Sequence, residues 1–201
     1  MAWLNAISTK QAALSPLLRV RLSGEQLHST TMRPMSSMDL YVFSSATWQN
    51  VQIGFVNRLW AVSPAEPSVM TARRTRAKRL CVGDRGILYV HKSEKPGFTV
   101  PFLFRSAPDL FAAAPPIWPE PWEMPFEIDP LGSPDRWWLA RHAAEVLPFN
   151  ADRRATNLSS LFNCQGTTVF APIQIEGEDW SMILFRLGDH KLMGKVLAGT
   201  G

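Results

Sequence analysis

The chain has 201 residues, 46% of them hydrophobic and 19% charged, which suits one globular domain with or without a tail. No apolar stretch approaches the roughly 18–20 residues that span a bilayer, which excludes a membrane-spanning helix and membrane partners of that kind. The formal net charge of +4 points only weakly to nucleic acid, because residues 1–38 carry three of the four charges: Lys10, Arg19, Arg21 and Arg33 stand there against Glu25 alone.

Residues 1–38 lack sustained periodicity and read as a flexible leader, with at most a short helix near Trp3–Leu18. Met32, Met35 and Met38 stand just before the first strand pattern, so a functional start inside the leader is one expectation. Organelle targeting by this basic, acid-poor segment is another. The domain proper is expected over residues 39–201. Leu40–Phe43 reads as a strand, Thr47–Phe55 as a short helix with Trp48, Val51 and Phe55 on one side, and Leu59–Val62 as a second strand ended by Ser63-Pro64. Met70–Leu80 is a helix candidate, followed by a turn over Val82–Gly86 and a strand over Ile87–His91. Lys92–Gly97 forms a hairpin loop, and Phe98–Arg105 returns as a strand in which Pro101 requires an edge or a bulge.

Residues 107–123 form a proline-rich loop with Trp118 and Trp122, and Met124–Ile128 follows as a strand. Ser133-Pro134 suits the N-cap and first position of a helix running to about Val146. Leu158–Phe162 reads as one helical turn, Thr168–Ile175 as a late strand, and Trp180–Leu187 as a strand or a helix. Five or six short strands among short helices make a mixed α+β, barrel-like unit.

Cys81 and Cys164 cannot build a disulfide framework, and neither they nor His28, His91, His142 and His190 show metal-ligand spacing. This favours a reducing, cytoplasmic setting with no metal and no organic cofactor. The run Arg73-Arg74-Thr75-Arg76-Ala77-Lys78-Arg79 places five cations within seven residues. It reads as a phosphate-facing helix through Arg73, Arg74, Arg76, Lys78 and Arg79, the alternative being a solvated face. Eight tryptophans against two tyrosines is unusual, and several fall in or beside proline-rich sequence. Trp60 ends a strand at a proline turn, while Trp118 and Trp122 flank Pro119-Glu120-Pro121. Indoles placed so suit stacking on a base drawn out of its strand. They equally suit the cover of a barrel mouth.

The stretch Tyr41–Val51, continuing to Leu59-Trp60-Ala61-Val62, resembles the opening strand–helix–strand of YTH and EVE domains. Val82-Gly83-Asp84-Arg85-Gly86-Ile87-Leu88-Tyr89-Val90 resembles the Gly-Asp-then-strand element of EVE and other PUA-like domains. Trp118-Pro119 to Trp122, then Pro125-Phe126-Glu127-Ile128, is similar to their tryptophan loop. Leu147-Pro148-Phe149 followed by Asn157 resembles the Leu-Pro-Phe and asparagine element after the YTH core. The resemblance spans roughly residues 39–175 and favours EVE, through the Gly-Asp element. It implies a PUA-like mixed β-barrel of five to six strands with flanking short helices, and a non-catalytic reader of a modified base.

By the same resemblance Trp60 and Trp118 are the cage walls, Trp122 closes the floor, and Asn50 with Ser45 reads a polar edge. Ala46 stands where YTH readers carry another asparagine, which weakens N6-methyladenine as the target; the EVE resemblance implies modified cytosine in DNA. The implied partner is nucleic acid carrying the modified base, acting with a separate nuclease or other effector. Two other classes were weighed. A small PUA-like amidohydrolase would use Lys92, Thr99 and Glu94, or a Ser133, His142 and Asp135 set, but neither has a sheltered context. A protein-interaction module would use the Trp–Pro loop as an apolar patch.

Overall fold

The structure, a computed structural model, describes residues 37–151 and 157–189. The expected leader lies outside them except for Ser37 and Met38, and Met38 opens the first strand. In chain order the elements are β1 (Met38–Ser45), α1 (Trp48–Asn57), β2 (Leu59–Val62), α2 (Pro67–Ala77), β3 (Arg85–Val90) and β4 (Gly97–Phe104). Then come β5 (Glu123–Pro130), β6 (Trp138–Leu139), α3 (Ala140–Val146), α4 (Leu158–Leu161), β7 (Ile173–Ile175) and α5 (Gly177–Leu187). Single 3-10 turns cover Pro148–Ala151 and Gly166–Thr168.

The strands form one mixed sheet in the order β2-β5-β4-β3-β1-β7, with β6 added against β4. Only β1 and β3 run parallel; α1, β2 and α2 supply the crossover between them. The α+β class is as expected, but the barrel is not. Seven strands make an open sheet whose ends, β2 and β7, are not paired with each other among the described residues. Both end strands are short. β7 keeps only three residues of the expected Thr168–Ile175 because Phe170 adopts φ +68° and Pro172 offers no N–H to a ladder.

Alternation along the central strands divides the interior in two. Tyr41, Phe43, Leu88 and Val90 face one core with Trp60, Phe104 and Phe126, while Leu40, Val42, Ile87 and Tyr89 face another with Phe149, Phe162 and Ile183. β4 serves both. Phe98 belongs to the second core, but Val100, Phe102 and Phe104 belong to the first. The parity changes because the ladder slips between Ile87 and Leu88, where Thr99 and Pro101 are the respective partners. Val100 is the extra residue of this bulge, held at φ +40°, a strained conformation for a β-branched side chain. Pro101 therefore lies in a central strand, at the bulge that its missing N–H requires.

Local chemistry sets most element ends. Thr47 caps α1 by accepting from the N–H of Asn50 at 3.3 Å, worth about 1 kcal/mol. Arg58 ends α1 at φ +50° and turns the chain directly into β2. Glu176 and Asp179 form a capping box that settles the Trp180–Leu187 region as helix. The helix expected from Ser133-Pro134 does not start there. Trp138 pairs with Phe98 as β6, and Ser133 is turned onto Asp135, so helix begins only at Ala140.

Candidate nucleic-acid interface

Trp60 leaves β2 pointing into the first core and is 1% exposed. Its ring lies on Gly54 of α1, where a Cβ would stand 2.6 Å from Trp60 Cε3 and 2.9 Å from the Leu59 carbonyl oxygen. Glycine at that helical position therefore admits the indole. The tryptophan loop is tied into its surroundings. The Ala114 N–H donates to the Trp122 carbonyl at 2.8 Å, the Met124 N–H to the Ala112 carbonyl at 3.0 Å, and the Trp118 indole N–H to the Asn50 carbonyl at 3.2 Å.

These bonds bring Trp60, Trp118 and Trp122 together as the resemblance implies, in an arrangement that differs from the implied one. Trp118 and Trp122 are stacked on each other, with ring centroids 4.5 Å apart and planes 7° apart. Both meet Trp60 at 81°, at 6.0 and 5.3 Å. A base between two rings needs roughly 7–8 Å, two carbon contact distances, so nothing fits between the stacked pair as it stands. Trp118 meets Trp60 edge-on and does not face it across a gap. Trp60 and Trp122, 1% and 7% exposed, border a different space.

That space is a hollow of about 320 Å³ lined by Trp60 and Trp122 together with Ser44, Ala46, Asn50, Arg73, His91, Lys92, Glu120 and Cys164. Trp118 backs Trp122 from behind and does not line it. The Asn50 side-chain amide makes no hydrogen bond among the described residues and lines the hollow. Ser45 does not line it: its hydroxyl is buried and donates to the Thr47 carbonyl at 2.7 Å. Ser44 is there instead, donating to the Cys164 carbonyl at 2.9 Å.

The basic run divides. Met70, Arg73 and Ala77 make the inward face of α2, at helical spacing. Arg73 is 6% exposed and donates Nε to the Gly166 carbonyl at 3.0 Å and Nη1 to the Ser63 carbonyl at 2.7 Å. Burial lowers its pKa, partly offset by Glu123, yet a guanidinium stays charged. It is thus a fixed cation beside the hollow, and not part of a solvated face. Arg74 braces the tryptophan loop, donating to the Leu110 carbonyl at 2.9 Å, pairing with Glu123 at 3.4 Å and lying over the Phe111 ring. Arg76 donates to the Thr167 carbonyl. Lys78 and Arg79 are exposed beyond the end of α2.

The sequence reading did not single out His91, Glu120 or Cys164 for this site. Burial pushes the Cys164 thiol up to about 12, so it stays protonated at neutral pH. Burial, then the neighbouring Lys92, lowers the His91 pKa below 6.5, and its Nδ1 is buried without a partner. The hydrolase sets do not assemble among the described residues. The Thr99 hydroxyl is buried on the Pro134 carbonyl, whereas Lys92 and Glu94 are exposed on the hairpin. Ser133 bonds Asp135, and exposed His142 joins neither.

No family model matches the chain, and no curated protein matches it by sequence. Among solved structures it is similar to YTH domains. One is the YTH domain of the MRB1 protein of Zygosaccharomyces rouxii in complex with N6-methyladenosine RNA, at 16% identity over 74% of this chain and 85% of that one, TM-score 0.44. Another is the Pho92 YTH domain in complex with m6A, at 14% identity over 76% and 85%, TM-score 0.47. A third is the CPSF4 YTH domain of Toxoplasma in complex with a 7-mer m6A-modified RNA, at 17% identity over 78% and 97%, TM-score 0.46. At these identities and scores the likeness transfers no residue role to this chain.

Proposed function

We propose that this chain is a non-catalytic reader that takes one modified base of a nucleic-acid strand into the hollow beside Trp60 and Trp122. The observation that carries the reading is the lining itself. Two indoles, an amide without an internal partner and two cations surround a space of about 320 Å³, at the small end of the ligand-cavity range. Stacking on an aromatic face is worth about 1–3 kcal/mol per base and is indifferent to which base is present. Specificity must then come from the polar rim.

That rim favours cytosine. The Glu120 carboxylate is an acceptor suited to the exocyclic amine of cytosine, and Asn50 offers both a donor and an acceptor. Ala46 supplies apolar surface where an added methyl group is welcome. Arg73 and Lys92 suit the phosphates of the extruded nucleotide, with Lys78 and Arg79 further along the strand. The Cys164 thiol, held protonated by burial, is a poor nucleophile at neutral pH.

The test is a binding panel of DNA and RNA oligonucleotides, plain or carrying methylated or hydroxymethylated cytosine or N6-methyladenine. A preference of about tenfold or more for a modified cytosine, equal to about 1.4 kcal/mol, is the expected result. Glu120→Gln should weaken capture of plain and modified cytosine alike, because both carry the exocyclic amine, and leave the ratio between them unchanged. Equal binding across the panel excludes a base reader, and preference for N6-methyladenine overturns the cytosine assignment.

A further inference from the structure

A second aromatic surface lies beside the first hollow. Trp48, in the first turn of α1, and Trp137, just before β6, are both half-buried, with ring centroids 5.7 Å apart and planes at 60°. Trp137 is fixed from two directions. Its indole N–H donates to the Lys95 carbonyl at 3.1 Å, and it lies over Gly97, where a Cβ would come within 2.2 Å of its ring nitrogen. Around the pair is an open cleft of about 590 Å³ reached by Thr47, Gln49, Lys92, Lys95 and one acid, Asp135. Neither lysine is in an ion pair among the described residues.

The two spaces are neighbours. Lys92 lines both, and the chain alternates between them: Ala46 and Asn50 reach the hollow, while Thr47, Trp48 and Gln49 reach the cleft. Beyond the cleft, Lys95 also borders a third depression together with Arg141. Lys92 is thus shared by the hollow and the cleft, and Lys95 by the cleft and the depression that Arg141 borders.

We infer that the Trp48–Trp137 cleft is a second base-stacking subsite, holding a nucleotide that adjoins the captured base in a single strand. This rests on the base-capture reading of the hollow. Half-exposed indole faces offer stacking that any base satisfies, and lysines at the rim meet the phosphates between stacked bases. The 60° splay leaves the two rings as an open wedge, against which a base lies on one face with its other face toward solvent. The cleft therefore adds affinity for a strand without adding discrimination, the opposite division of labour from the hollow.

The test compares three probes: 5-methyl-dCMP, a nine-nucleotide single-stranded DNA with one central 5-methylcytosine, and its unmethylated twin. Trp48→Ala should weaken both strands about tenfold, leave the monophosphate unchanged and leave the ratio between the strands unchanged. Trp48→Phe should recover most of the loss, because it retains a ring. Lys95→Gln, on an exposed side chain, should flatten the dependence of log affinity on log salt by about 0.7 for the strands. Strand binding unaffected by Trp48→Ala, or a loss shared equally by the monophosphate, overturns the subsite and leaves base capture standing. If the wild-type protein neither binds the monophosphate nor distinguishes the two strands, base capture fails, and the subsite falls with it.

Discussion

Five of the tryptophans form two clusters that differ in kind. Trp60, Trp118 and Trp122 are 1%, 5% and 7% exposed and pack at 81°, 81° and 7° to one another. Trp48 and Trp137 are half-buried, and their single contact is an open one. The trio is continuous with the first core, whereas the pair lies against its edge. A recognition surface is thereby built from two materials. The buried trio gives the hollow a rigid wall, since a backed and clamped indole loses little freedom on binding. The pair remains accessible without having to be held so firmly.

The sharpest way to break this comparison is to remove one ring from each cluster. Trp60→Ala deletes a fully buried indole and should cost about 3–5 kcal/mol in stability, read as a lower midpoint of denaturant unfolding. Trp48→Ala should cost less, about 1–2 kcal/mol, because that ring is only partly buried. Equal losses would mean that the pair is as much core as the trio, and the division would be lost.

A finer test leaves every tryptophan in place. Gly54→Ala improves helix propensity by about 1 kcal/mol. Its new Cβ would nevertheless stand 2.6 Å from the Trp60 ring and 2.9 Å from a backbone oxygen that cannot rotate away. Overpacking of this kind costs about 1–3 kcal/mol, so the clash should win by about 1 kcal/mol. The displaced ring should also weaken 5-methyl-dCMP binding without affecting the contribution of the Trp48 cleft. A stabilised Gly54→Ala protein would show that Trp60 is not clamped.

What the sequence made legible follows from how local the signal is. Strand β2, helix α1 to within two residues, and the irregularity at Pro101, which proves to be a bulge and not an edge, are written in adjacent residues. Asn50 and Trp60 reach the hollow for the same reason: each is fixed by its own short element. The mutual angles of Trp118 and Trp122 depend on loop hydrogen bonds between residues such as Ala114 and Trp122, which no spacing reveals. The burial of Arg73 was the more readable feature. Met70, Arg73 and Ala77 recur at helical intervals, and that periodicity outweighs the run of charges in deciding which residues face inward. The Ser133-Pro134 signal was overridden by pairing of Trp138 with Phe98, a partner 40 residues away. His91, Glu120 and Cys164 come from three separate segments and meet only in the folded chain.

The smallest expected effect separates the hollow from the cleft by pH. His91 borders the hollow only, with Lys92 and Arg73 also lining it, Glu120 as the acid across the space and Ser45 accepting its backbone N–H at 3.0 Å. Burial and Lys92 hold its folded pKa below the ordinary value of 6.5, while the unfolded chain titrates near that value. As pH falls through 6.5, the unfolded state takes up the proton first, so folding stability is full above this point and declines until the folded ring also titrates. Unfolding midpoints measured between about pH 7.5 and 5.5 should therefore fall with pH, and His91→Gln should flatten that part of the curve. The His91 ring is only half-buried, so solvent moderates the effect and the slope should be shallow. A charge gained beside the hollow should also change the ratio between the methylated and unmethylated strands over the same interval, and His91→Gln should abolish that change. The part of strand affinity that Trp48→Ala removes should not change with pH there. A pH dependence of equal size in that part would mean that the two spaces are one electrostatic unit, and the comparison between a discriminating hollow and an indifferent cleft would fail.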